Sequence, residues 1–388
     1  MQNSKHILFL SNSGSRGGAN VVLLALAKHM AASTDLKPII LFRTHDEFIN
    51  EFKQYGEVLV QDFEPKVPKS IFNRLRKKIR QVLDFTDLSI YNTLKILKSK
   101  NIQLIYSNTV HNEKAIQYIK SALNVPLIIH SHEQDYILNM YKKQRTFRDQ
   151  FDKANHFITV CKASEAALKS HFNIPKEKIS LIYPGIDVTK SNNFNKLELR
   201  KKFGINQNDF VVIAMGNPHW IKGCDLFLQV AISTIKQDAR IKFYWIGGNN
   251  RNESYNQLKN DIKKSGYGNN IIQVEHTTNP FIYHAISDLF ILTSRVDSFP
   301  LVNLQSGLFK VPVICFNNSG GSVELINEDT GAAVPYGDTE EMAKQVLKLK
   351  NEPLLLENKG TYLHDRVVKN FNEIDSIKQI VEVINNLI

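Results

Sequence analysis

Two polar side chains stand eight positions apart in the segment Ser294-Arg295-Val296-Asp297-Ser298-Phe299-Pro300-Leu301-Val302-Asn303-Leu304-Gln305: an acid at Asp297 and an amide at Gln305. The residues before them, Asp288-Leu289-Phe290-Ile291-Leu292-Thr293, form the apolar run of a buried strand. After them a helical pattern continues to Lys310, and a second strand pattern follows in Val311-Pro312-Val313-Ile314-Cys315-Phe316. Asp297 therefore falls in a strand-to-helix loop and Gln305 on the helix. Pro300 suits the first helical turn, where its missing N–H has no helical partner to lose. The free N–H groups of that turn, with the helix dipole, suit an anion such as a phosphate. A polar residue before such a turn can hold a sugar hydroxyl, and one inside the helix can hold a ribose.

Other segments carry chemistry of the same kind. Ser13-Gly14-Ser15-Arg16-Gly17-Gly18-Ala19-Asn20 follows an apolar run and opens a helical one. Its glycines do not follow the Gly-x-Gly-x-x-Gly dinucleotide pattern, but glycine lets a backbone approach a ligand closely. In Ile128-Ile129-His130-Ser131-His132-Glu133 the two histidines lie one apart and project to the same side of a strand. A hydrogen-bonded core histidine is the competing reading, and no third ligand at metal spacing is nearby. Tyr106-Ser107-Asn108-Thr109 offers hydroxyl and amide groups to a hydroxyl-rich ligand, or a locally capped turn. Met215-Gly216-Asn217-Pro218-His219-Trp220-Ile221-Lys222-Gly223-Cys224-Asp225 sets a lysine just before a helical pattern. Asn318-Ser319-Gly320-Gly321-Ser322-Val323-Glu324 is a glycine-rich turn whose Glu324 is open to a structural reading.

These segments sit at the ends of a regular alternation. Strand patterns occur at 6–11, 38–42, 57–61, 103–107, 126–130 and 156–160, then at 210–215, 241–246, 271–274, 288–292 and 312–316. Helical patterns such as 18–32 and 222–236 separate most of them. Alternation of this kind predicts parallel sheets covered by helices, and it happens twice. The join falls near 185–200. Ligands of open parallel sheets bind beyond the carboxyl ends of the strands, where nearly all these motifs fall.

Segment 294–305 resembles the donor-site signature of the family 4 retaining glycosyltransferases, which have the GT-B fold. That signature is two glutamates with seven residues between them, around a Phe-Gly or Phe-Pro step. Asp297 and Gln305 occupy the glutamate positions and Phe299-Pro300 the step. The resemblance extends in family order from Gly17 to about Gly337. Gly17-Gly18-Ala19 is similar to the turn that opens the first domain, with Asn20 at the usual acidic position. His132, with His130 second, stands where the family commonly has a histidine. Gly185-Ile186-Asp187 is similar to the turn at the domain junction. Gly216 and Lys222-Gly223-Cys224-Asp225 match a phosphate-contacting segment, with Asn217 in place of an arginine. Trp245-Ile246-Gly247-Gly248 and Gly320-Gly321 with Glu324 match two further segments, and 272–276 would lie near the base.

The fold this implies is α/β, GT-B, two doubly wound Rossmann-like domains facing across a cleft. Residues 1–188 would bind acceptor and 189–370 the donor, with 371–388 a helix packing back on the first domain. The activity implied is sugar transfer from a nucleotide-sugar, UDP- or GDP-linked, to a hydroxyl acceptor, with retention and with no cofactor or metal. His132, Asp297 and Lys222 would be catalytic. Donor contacts would come from Gly17, Gly18, Gly216, Lys222, Arg295, Asp297, Phe299, Pro300, Leu301, Val302 and Gln305, with Arg295 supplying a second charge for the diphosphate. Asn108, His130 and Glu133 would lie on the acceptor side. Two other readings remain: a catalytically silent partner of the same fold, and a nucleotide-sugar epimerase using His130, His132 and Glu133. A dinucleotide-dependent dehydrogenase is disfavoured by the glycine pattern.

Composition narrows the partners. The chain has 388 residues, enough for two domains, and 43% of them are apolar. Residues 1–190 hold 28 Lys and Arg against 17 Asp and Glu, whereas 191–388 hold 21 of each. The net charge of +11 therefore lies in the first half. It concentrates at Lys66, Lys69, Arg74, Arg76, Lys77, Lys78 and Arg80, interleaved with Ile71, Phe72, Leu75, Ile79 and Leu83. That is a basic amphipathic helix suited to an anionic membrane surface, with a solvated basic face as the alternative. No aromatic platform accompanies the charge, so nucleic acid is not expected. Cys161, Cys224 and Cys315 lack ligand-like spacing and fit a reducing compartment. No apolar run nears the roughly 18 residues of a membrane span, and Ile7-Leu8-Phe9-Leu10 reads as a strand rather than a leader. The expectation is a cytoplasmic protein, peripheral at the inner face of the cell membrane, with a lipid-linked or surface-glycan acceptor such as a lipopolysaccharide or capsule precursor.

Overall fold

The computed structural model describes residues 4–64, 88–191 and 194–388. The basic segment 66–80, expected at a membrane surface, lies outside the described residues. The chain divides into two compact units. The first takes the residues up to Val160, Ser164–Ile182 and Ile377–Ile388; the second takes Cys161–Ala163 and Tyr183–Ser376.

The first unit is built on a parallel seven-stranded sheet: β1 Lys5–Ser11, β2 Lys37–Phe42, β3 Glu57–Val60, β4 Asn101–Ser107, β5 Leu127–Ser131, β6 His156–Thr159 and β7 Ile179–Leu181, ordered β3-β2-β1-β4-β5-β6-β7. Helices cover both faces, so the central strands read as continuous apolar runs rather than as alternating ones. Within β1, Ile7 and Phe9 meet Leu23, Leu26 and Met30 of the Gly18–Ser33 helix, while Leu8 and Leu10 meet Ile105, Ile116 and Ile119 on the other face. Ile377, Ile380 and Ile384 of the last helix join the first of these cores. Each such side chain contributes about 1.5–3 kcal/mol on full burial.

The second unit repeats the scheme with six parallel strands: β8 Phe210–Met215, β9 Ile241–Ile246, β10 Ile271–Val274, β11 Leu289–Leu292, β12 Val313–Phe316 and β13 Gly331–Val334, ordered β10-β9-β8-β11-β12-β13. Val212, Ala214, Phe227, Phe243 and Trp245 belong to its core. In each sheet the winding reverses at the first strand, between β1 and β4 and again between β8 and β11. A doubly wound sheet takes its ligand at that switch point.

Two edge strands, β7 and β13, have no counterpart among the predicted ones. β7 is three half-buried residues, and β13 is Gly-Ala-Ala-Val, with little side chain to give a strand signal. The helix predicted over 222–236 starts later, at Cys224, after a 3₁₀ turn Trp220–Lys222. Gly223 between them has φ +64°, and a Cβ there would stand 2.0 Å from the Thr293 carbonyl oxygen. Only glycine fits, and the close approach locks the turn carrying Lys222 against the end of β11.

Candidate functional site

The second unit gathers its polar residues at the carboxyl ends of β8 and β11. The Lys222 Nζ lies 2.5 Å from an Asp297 carboxylate oxygen, which also accepts from the Ser294 hydroxyl at 3.2 Å. Both partners of the ion pair are largely shielded from solvent. The Asp297 loop is zipped onto the glycine turn after β12: the Asp297 N–H donates to the Ser319 carbonyl at 2.8 Å, and the Gly321 N–H to the Ser298 carbonyl at 2.8 Å. A Cβ on Gly321 would stand 2.2 Å from that carbonyl oxygen. Phe299 turns inward, its ring 5.2 Å from Tyr183 and 5.4 Å from Phe371. It anchors the loop from beneath. The helix Leu301–Leu308 then begins with Pro300 at its cap position and no side-chain cap, which leaves N–H groups of its first turn for a ligand.

Arg295 is engaged within the protein. Its guanidinium makes two hydrogen bonds to the Asp225 carboxylate, at 2.9 and 2.7 Å, and a third to the Trp220 carbonyl at 2.8 Å. It also lies over the Trp220 ring, 5.1 Å from the centroid. The hydrogen bond from Arg295 holds the Asp225 carboxyl below its ordinary range. To act as a second cation on a diphosphate, Arg295 would have to leave a bidentate ion pair. Lys222 has its partner inside the site instead.

Two residues here escaped the sequence reading. His219 precedes the Lys222 turn; burial pushes its imidazole down, Lys222 adds to that, and Asp297 opposes it. His284 is fully buried beneath Gln305, with its Nε2 3.3 Å from the Gln305 carboxamide oxygen and its Nδ1 3.2 Å from the Ser306 hydroxyl. His219 could have been found as a titratable neighbour of Lys222. His284 carries no signal, because its position in an apolar helix looks like core.

Glu324 is held by contacts within the protein. Its carboxylate accepts from the Lys162 N–H at 2.9 Å and from the Tyr183 hydroxyl at 2.6 Å, a structural arrangement. Asn217 accepts from the Asn252 amide at 3.1 Å, and the Gly216 carbonyl accepts from the Trp245 indole at 3.1 Å.

The first unit carries the other predicted residues at the ends of β1, β4 and β5. Asn20 ties down the glycine turn: its oxygen accepts from the Ser11 hydroxyl at 2.7 Å, and its amide donates to the Ser13 and Ser15 carbonyls at 2.7 and 2.8 Å. A carboxylate could not make the last two bonds. Gly17 is open to space on its Cβ side. The Tyr106 hydroxyl and His130 Nδ1 are 2.6 Å apart in the core, and the His130 and His132 rings lie 4.1 Å apart, tilted by 36°. Burial pushes His132 down to about 4 and His130 well below its ordinary value, so both are neutral at neutral pH. Glu133 accepts from Thr109, from the Ser131 hydroxyl at 3.3 Å and from the Val110 N–H at 3.5 Å. The Asn108 amide donates to the Ala19 carbonyl at 3.0 Å.

Two Rossmann-like units, with a lysine–carboxylate pair beside an uncapped helix start in the second, define a protein of the GT-B glycosyltransferase class. Residues 16–190 match Glycosyltransferase Family 4, and residues 195–365 match Glycosyl transferases group 1. The chain belongs to the family 4 glycosyltransferases. It is 26% identical over 183 residues to the capsular polysaccharide biosynthesis glycosyltransferase CapM of Staphylococcus aureus, covering 46% of each chain. It is 21% identical over 318 residues to the O-antigen biosynthesis glycosyltransferase WclY of Escherichia coli, covering 80% of each. The chain spans about half the length of the first curated relatives it matches. Its fold is that of Anabaena HepE, solved in complex with UDP and glucose, with a TM-score of 0.81 at 20% identity over 98% of this chain and 99% of that one. Among the described residues no helix is long and apolar enough to cross a membrane.

Proposed function

We propose that the protein transfers a sugar, with retention, from a nucleotide-sugar to a hydroxyl acceptor in the assembly of a surface glycan. The observation that carries this is the pairing of Lys222 with Asp297 next to the uncapped start of the Leu301–Leu308 helix. A diphosphate needs a cation and oriented N–H donors, and a donor sugar needs a fixed carboxylate; these elements supply all three. On donor binding, Lys222 moves from sharing Asp297 to holding the diphosphate, and Asp297 takes a sugar hydroxyl. The bond from the anomeric carbon to the phosphate oxygen breaks first. The acceptor oxygen bonds to that carbon on the same face, and its proton passes to the leaving phosphate. The protein's own work is positioning and charge stabilisation. Gln305 takes the ribose. On the first unit His132, Asn108, His130 and Glu133 serve the acceptor side, with both histidines acting as neutral groups.

The relatives supply the biological direction. CapM is named for capsular polysaccharide and WclY for O-antigen, and HepE was solved with UDP and glucose. On that basis we assign a UDP- or GDP-sugar donor and a surface-glycan acceptor, and we further propose that the reaction needs no metal and that the acceptor is lipid-linked and met at the inner face of the membrane.

The test is thermal stabilisation by UDP, GDP, ADP and their sugar conjugates, without and with magnesium, on wild type and Lys222→Ala. A ligand that binds only the native state raises its stability with concentration. A shift with one nucleotide, present without metal and lost in Lys222→Ala, is expected. No shift with any of them would favour a silent member of the fold.

A further inference from the structure

Gln305 is not free to turn. Its carboxamide oxygen faces Nε2 of His284 at 3.3 Å, and the other ring nitrogen faces the Ser306 hydroxyl at 3.2 Å. The imidazole is fully buried between two aromatic rings, near-parallel to Phe290 at 5.7 Å and to Phe309 at 6.1 Å. Burial pushes it down to about 3, so the ring is neutral and carries one proton. A carboxamide oxygen can only accept. With the Gln305 oxygen set towards the ring, that oxygen accepts, which puts the ring proton on Nε2 and leaves Nδ1 to accept from Ser306. This contact takes one of the two lone pairs of the Gln305 oxygen and turns the N–H₂ group away from His284.

We propose that His284 is a positioning residue of the donor site, fixing the Gln305 carboxamide with its oxygen inward so that this chain holds the ribose by donating to its hydroxyl oxygens. The inference rests on the reading that Gln305 meets a ribose. A glutamate at 305 would reverse the polarity, since both carboxylate oxygens accept: one would face His284 and the other would take protons from the ribose. His284 thus fixes which end of the side chain at 305 faces inward, and the amide at 305 decides that the outward end donates.

The experiment measures binding of UDP, GDP and ADP to the full-length protein, then compares the tightest of them with its 2′-deoxy and 3′-deoxy forms. Wild type should lose roughly three- to tenfold in affinity on removal of a hydroxyl held by Gln305. Gln305→Ala and His284→Leu should both flatten that ratio towards one. His284→Gln, which can again present an N–H, should restore it. Each variant is used only where its melting transition shows a folded protein. In parallel, ¹⁵N resonances of the free wild-type protein should show His284 as the Nε2–H tautomer, a readout that needs no variant. A folded His284→Leu protein that keeps the wild-type ratio, or a Nδ1–H tautomer, overturns the positioning role while leaving the transferase reading intact. If wild type binds none of the nucleotides, the transferase reading fails and the ribose role fails with it.

Discussion

At the scale of single residues, the two cations of the candidate site differ in what they touch. Lys222 shares a carboxylate that itself belongs to the site, whereas Arg295 is spent on Asp225 and on the Trp220 carbonyl. Their removal should therefore read differently. Lys222→Ala should lower kcat roughly 10²-fold, the size expected for losing one charge-stabilising donor, and should also lower the melting temperature, because the shielded Asp297 carboxylate is left without its cation. Steady-state kinetics beside a melting curve checks this. Lys222→Arg should recover only part, because a planar guanidinium replaces a point charge on a flexible stem. Arg295→Ala should instead loosen the loop. Asp225 is half exposed, so screening holds the ion pair to about 1 kcal/mol or less, and the Trp220 contacts add to it. Its signature is a lower melting temperature with turnover reduced less than in Lys222→Ala. The placement of Lys222 and Asp297 just beyond β8 and β11, and of Gln305 within the following helix, was legible from the alternation of strands and helices. The partners of Arg295 and the burial of His284 were not, since neither follows from spacing along the chain.

At the scale of elements, the turns separate glycines that the fold needs from glycines it merely allows. Gly223 has a left-handed backbone and no room for a Cβ beside Thr293. Gly223→Ala should cost more than about 1 kcal/mol and shift the urea midpoint down, since strain and clash act together. Gly17 has φ −105° and nothing near its missing Cβ. Gly17→Ala should leave stability within about 0.5 kcal/mol of wild type. If its turn meets a ligand, activity falls alone; equal loss of stability and activity would assign that turn to folding. The central strands were readable because burial on both faces makes them uniformly apolar, as in Ile7-Leu8-Phe9-Leu10. The edges were not. β13 offers Gly-Ala-Ala-Val, and its pairing with β12 is set by the sheet rather than by its own side chains. The start of the Cys224–Ile235 helix was misplaced for a related reason: Lys222 fits a helical pattern, and only the approach to Thr293 ends the turn at Gly223.

At the scale of the whole molecule, both units bury histidines and keep them neutral. His132 in the first is pushed down to about 4 and His284 in the second to about 3, each chiefly by burial, with His130 well below its ordinary value. An unfolded histidine titrates near 6.5. Between that pH and the folded value the unfolded chain binds protons that the folded chain refuses, so the stability of the native state falls as pH falls. The contribution is fully present above about pH 6.5 and is lost progressively towards pH 4, by up to about 1.4 kcal/mol per pH unit for each histidine. Carboxylates act in a separate, lower window. Hydrogen bonding to Arg240 and Lys350 holds Asp238 below its ordinary range, and Arg295 does the same for Asp225, so their contributions persist until the unfolded acids begin to protonate near pH 4. Urea unfolding at intervals from pH 7.5 to 4.5 should therefore show stability level at first and then falling below about pH 6.5, before any carboxylate titrates. His284→Gln, which places a neutral polar group at 284, should flatten part of that slope while leaving the rest to His130, His132 and the less buried His6, His156 and His219, which burial also holds below their ordinary value. A profile flat down to pH 4.5 would mean that these rings are solvated or charged in the folded protein, and the neutral state assigned to His284 beneath Gln305 would go with it.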